Sequence, residues 1–145
     1  MKFGMHNWMR PEPLEVTVER LARYGYDAIE LMGEPSKYDI KETLAILKKH
    51  KIACTSTVTI MSKDRDLTHP DTKLWQGTVD YIKAIIKMAA NLGGECICLV
   101  PTEIGYLQPR GPIEECWNRM VAGLKQIADY SHTRKIKVGL EPLNR

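Results

Sequence analysis

Short apolar runs alternate with longer amphipathic stretches along the whole chain, and this rhythm limits the folds open to it. The runs are residues 2–8, 27–33 ("DAIELMG"), 52–60 ("IACTSTVTI"), 95–101 ("ECICLVP") and 136–141 ("IKVGLE"). Between them, apolar residues recur at helical spacing. Leu14, Val18, Leu21 and Ala22 mark the first helix, stopped by Gly25. Ile40, Leu44 and Leu47 share a face of a second helix starting at about Asp39. Leu74, Val79, Ile82, Ile85, Ile86, Ala89 and Leu92 mark the longest, closed by Gly93 and Gly94, and Ile113, Trp117, Met120, Leu124 and Ile127 a fourth. Strands alternating with helices imply βαβ units and a parallel sheet.

Two architectures answer that description. An open doubly wound sheet suits a chain of 145 residues. A (β/α)8 barrel needs about 250. The strand faces decide against the count. Side chains alternate across a strand, so Ile29 and Leu31 oppose Ala28 and Glu30, Ile97 and Leu99 oppose Cys98 and Val100, and Val138 and Leu140 oppose Gly139 and Glu141. In the first run Phe3 and Met5 oppose Gly4, His6 and Trp8. One face is large and aliphatic; the other is small, and polar towards the C-terminal end. Strands covered by helices on both faces read as continuous apolar runs instead. The expectation is therefore α/β, with parallel (β/α) units of a TIM barrel: five strands and four helices, a partial barrel, in one domain over 1–145.

A barrel keeps its chemistry at the C-terminal ends of its strands, which directs attention to Glu141. Pro142 biases it towards extended backbone and so fixes where the carboxylate points. Glu30 lies between Ile29 and Leu31, where an unpaired buried carboxylate is costly; it either pairs with a cation or faces a pocket. His6 alone reads first as a hydrogen-bonded structural histidine, and Trp8 as core or as a platform at the barrel mouth. Glu103 reads as a loop residue, and His50, His69 and His132 as surface.

Composition narrows the class. A net charge of +3 offers little attraction to phosphate backbones. The cysteines Cys54, Cys96, Cys98 and Cys116 lie inside apolar patterns and lack a zinc spacing, which reads as reduced core thiols in a cytoplasmic protein. No apolar run reaches the ~18 residues of a membrane helix, so neither membrane nor nucleic acid is an expected partner.

The segments "KFGMHNW", "YGYDAIELMGEP", "SKDRDLTHPD", "AANLGGECICLVPT" and "GLEPLNR" resemble, in order and spacing, the sugar isomerase and epimerase family with the xylose-isomerase-like TIM barrel. The likeness is closest to the D-tagatose/D-psicose 3-epimerase group and covers essentially the whole chain. It implies a metal-dependent epimerase acting on a small ketose at C3 through an enediolate. Glu141 falls on the position of a ligand to a divalent metal (Mn2+, Mg2+ or Co2+) that is also one of two acid/base carboxylates. His6 falls on a pocket position often aromatic in relatives, and Val58, Cys98 and Val100 fall near a hydrophobic subsite. Trp8 and Glu30 join them as candidate substrate-binding residues.

The family takes its remaining metal ligands from strands after the fifth. The chain thus resembles the N-terminal part of an epimerase, and the expectation is an inactive isolated chain, with the divalent metal belonging to the complete family site. Its uncovered edges imply a homo-oligomer or an association with the C-terminal half of the barrel. Sugar-phosphate epimerisation, hydroxypyruvate isomerisation, inosose dehydration and a non-catalytic oligomeric module are the alternatives. An endonuclease IV-type role is disfavoured by strand ends poor in histidine.

Overall fold

The computed structural model describes residues 1–7, 12–62, 64–103 and 108–142. Five strands and four α-helices alternate: β1 (Gly4–His6), α1 (Leu14–Arg23), β2 (Ala28–Gly33), α2 (Ile40–His50), β3 (Ala53–Thr59), α3 (Thr72–Asn91), β4 (Cys96–Leu99), α4 (Ile113–Arg134) and β5 (Lys137–Leu140). A short 3-10 turn, Pro35–Lys37, follows β2. The strands pair in chain order, β1-β2-β3-β4-β5, every pairing parallel.

The helices start and stop where local chemistry allows. The Asp39 side chain accepts from the Glu42 N–H at 2.8 Å, capping α2. Asp71 does the same for α3 from Lys73 and Leu74. Lys51 and Lys135 end α2 and α4 in the left-handed conformation.

All four helices pack on one face of the sheet. Ile29 and Leu31 join Val18, Leu21, Leu47 and Leu92 in one buried cluster. Ile97 and Leu99 join Val79, Ile82, Ile85, Ile86 and Ile127 in another. These are the aliphatic strand positions of the parity argument, and their one-sided burial is the arrangement of a barrel wall rather than of a doubly wound sheet.

Helical spacing overstated two faces. Ile113 is 72% exposed and Trp117 61%: they lie in the first turns of α4, and the core contacts of that helix come from Met120, Leu124, Ile127 and Tyr130 farther along it. On α2, Leu44 is exposed, and Thr43 is buried beside it. Among the described residues no helix is long and apolar enough to cross a membrane.

Gly33 closes β2 where no side chain fits. A Cβ there would stand 2.5 Å from the Val58 carbonyl oxygen and 2.8 Å from Ile85 Cδ1. β2 and β3 approach this closely only because position 33 is bare.

Candidate functional site

The strand face turned away from the helices carries the polar residues. Register lines them up in rows. His6 sits beside Glu30, Glu30 beside Ser56, and Ser56 beside Cys96. One step towards the C-terminal ends, Met32, Val58, Cys98 and Gly139 form the next row. Glu141 lies just past β5, where its N–H donates to the Leu99 carbonyl at 2.9 Å and continues the pairing with β4.

Both carboxylates on this open face accept from uncharged donors. The Ser56 hydroxyl donates to Glu30 Oε1 at 2.7 Å. The Cys98 thiol donates to Glu141 Oε2 at 3.0 Å. That contact places Glu141 on the side of Cys98, opposite Ile97 and Leu99. Glu141 and Glu30 are half-buried, Val58 and Val100 are buried, and Trp8 lies outside the described residues. His6, Glu30, Val58, Cys98 and Glu141 therefore share one face of the sheet, with Val58 and Cys98 adjacent across β3 and β4.

The thiols register the local electrostatics. Burial, then the hydrogen bond and charge of Glu141, push the Cys98 thiol from an ordinary 9.0 to about 12. Burial, then the charge of Glu30, raise Cys54 to about 12. Cys96 is raised for the same two reasons. Glu30 is thus near enough to be felt at three thiols, including Cys98. All four cysteines are free; Cys54 and Cys116 are buried, but Cys96 and Cys98 line the open face rather than the core.

Fasteners around the C-terminal rim were not legible beforehand. Asn7 bridges β1 to β2: its Oδ1 accepts from the Met32 N–H at 2.8 Å and its Nδ2 donates to the Tyr38 hydroxyl at 3.1 Å. Arg65 grips Glu34 through both guanidinium nitrogens, at 2.5 and 3.2 Å, and lies 3.8 Å over the Tyr81 ring. The Tyr81 hydroxyl donates to the Gly33 carbonyl at 2.7 Å. Arg110 joins the buried Asp66, at 2.7 Å, to Glu103, at 2.8 Å. Glu103 is therefore a loop residue, as expected, and shares the Arg110 cation with Asp66. The only sequence signal was charge just past strand ends. A separate groove of about 340 Å³ lies between the start of α3 and α4, lined by His69, Trp75, Asn118 and Arg119 among others; it holds none of the open-face residues.

A divalent metal was implied for Glu141, and the residues at hand can be tested for it. Hard divalent cations take about six oxygen or nitrogen ligands. Among the described residues no group of three or more His, Cys, Asp or Glu converges as a metal site. The neighbour of Glu141 is a protonated thiol. The described residues therefore do not compose a metal centre.

With this geometry in hand, comparison places the fold. Residues 18–145 match a family model described as a xylose isomerase-like TIM barrel. The whole chain superimposes on 53% of a D-psicose 3-epimerase solved in the presence of D-fructose, at TM-score 0.83 and 23% identity. It also covers 52% of a D-allulose 3-epimerase from Methylomonas sp. in complex with D-allulose, at TM-score 0.86 and 22% identity. The IolI protein with a bound zinc atom matches over 97% of the chain and 51% of its own, at TM-score 0.75 and 17% identity. The chain thus spans about half the length of the structures it matches. No curated protein sequence matches significantly.

Proposed function

Because the chain belongs to the xylose isomerase-like TIM-barrel family, we propose that it forms, as one domain over 1–145, the N-terminal portion, five strands and four helices, of a sugar isomerase or epimerase barrel acting on a small ketose at C3. One observation carries this reading. The Glu141 carboxylate lies on the open face at the C-terminal end of β5, held there by Cys98, where a barrel of this kind places its reacting groups.

Inversion at C3 needs a base on one face of the carbon to take the proton and an acid on the other to return one. A single side chain cannot reach both faces. Glu141 supplies one carboxylate, and its partner comes from outside these residues. His6, Glu30, Val58, Cys98, Val100 and Trp8 are the proposed substrate contacts. Any divalent metal would belong to the completed barrel, with Glu141 as one ligand among several, where it would supply Lewis-acid polarisation of the substrate oxygens. The open margins of β1 and β5 are places for the remaining (β/α) units; the test of that part is size-exclusion chromatography, where a clean monomer of the isolated chain would count against it.

The reading is tested by assaying ketose C3 epimerisation, with Mn2+ added, for this chain and for a barrel-length version. The expected result is turnover only in the barrel-length protein, reduced roughly 10²–10⁴-fold by Glu141→Gln, the range for loss of a general acid/base group. Undiminished turnover in that variant would overturn the role of Glu141. Turnover by the isolated chain would overturn the claim that a second carboxylate is missing from it.

A further inference from the structure

A carboxylate that must meet one face of a small substrate needs a fixed direction as well as a place. Glu141 has three side-chain torsions, is half-exposed, and follows the last strand of the described sheet. Its backbone is pinned by the N–H bond to the Leu99 carbonyl. Its carboxylate has one protein hydrogen bond among the described residues, from Cys98 to Oε2. Oε1 is left for other partners.

We propose that Cys98 is a positioning residue for Glu141: its thiol, at 3.0 Å from Oε2, sets the direction in which Oε1 faces the open side of the sheet. This rests on the reading of Glu141 as an acid/base group. The local sequence favours the contact. Cys98 and Gly139 are register partners, and Gly139 has no side chain, so the space next to Cys98 on that face is left to the residue two places along, Glu141. A thiol suits the task because it donates one weak hydrogen bond and carries no positive charge. An arginine or lysine would orient the carboxylate too, but would occupy its charge.

The hydrogen bond is read directly from the infrared S–H stretching band of the chain. The Cys98 band is assigned as the component lost in Cys98→Ser. It is expected at lower wavenumber than a thiol without an acceptor, and to move upward in Glu141→Ala. The positioning role is read in the barrel-length protein by comparing Cys98→Ser with Cys98→Ala, which are similar in size but differ in donor capacity. Both variants alter a substrate contact, so the comparison is between them: relative to serine, which still donates, alanine is expected to lower kcat roughly tenfold or more, with KM differing little between the two. A band indifferent to Glu141→Ala, or equal kcat in the two Cys98 variants, would sink the positioning role while leaving Glu141 itself untouched. Undiminished turnover in Glu141→Gln would instead remove the reading on which the proposal stands.

Discussion

Leu99 and Leu140 are register partners on neighbouring strands, the same residue on the same face of the sheet. Leu99 is fully buried; Leu140 is 50% exposed. Across the sheet the same contrast holds between Ile29, fully buried, and its partner Met5, 39% exposed. The difference does not lie in the residues or in their strand geometry. A helix-facing position is buried only where helices lie on both sides of it, and among the described residues the margins β1 and β5 have cover from one side. Burial here is a property of position in the ring of helices.

The contrast can be pressed experimentally. The largest effect is expected at the rim fastener that joins the loops after β3 and β4. Arg110→Met leaves Asp66 almost wholly buried without its cation, which should cost about 3–5 kcal/mol in urea unfolding. A cost near zero would mean that the loops of the middle strands are not held by charge. Next, Leu99→Ala should cost about 2–5 kcal/mol, and Leu140→Ala under about 1 kcal/mol, because only the first leaves a cavity. Equal losses would break the distinction between middle and margin. Hydrogen exchange should rank the amides likewise, slowest in β3 and fastest in β1 and β5.

Stability should also depend on pH in the alkaline range. Cys54 and Cys98 hold their protons more firmly folded than unfolded, about 12 against an ordinary 9.0. Their contribution is fully present below pH 9 and is lost as pH rises from 9 towards 12. Unfolding midpoints at pH 8.5 and 10.5 should therefore fall, and Cys54→Ala should flatten that slope. An unchanged slope would mean that the buried thiol contributes nothing to it.

How much of this could be read in advance varied by element. β2 and β4 were legible because a large aliphatic and a smaller or polar residue alternate strictly, as in Ile29, Glu30, Leu31. β3 was not. Its pairing with β2 shifts by one residue after Ile29 and Cys54, so that Glu30 meets Ser56 and Thr55 is the extra residue. A bulge of this kind breaks the period of two without leaving a mark in composition. Helical spacing identified the faces of α2 and α4 but could not say how far cover extends, hence the exposed Leu44, Ile113 and Trp117. At the site, the side on which Glu141 lies followed from strand parity. Its partner did not, since Cys98 reads as a small apolar subsite residue and hydrogen bonding between strands depends on register that sequence alone does not supply. Trp8 stays an expectation outside the described residues.

The bare position at Gly33 has a consequence for anyone wishing to reshape the mouth of this sheet. At Gly33 even one added methyl would collide with the Val58 carbonyl oxygen, main chain that cannot step aside, so that position tolerates no added bulk. At Gly139 the nearest obstacle to such a methyl is the Ile97 carbonyl oxygen, at 3.7 Å, an ordinary contact. Added bulk is therefore better tried first at Gly139, on the β5 side, where the backbone leaves room for it.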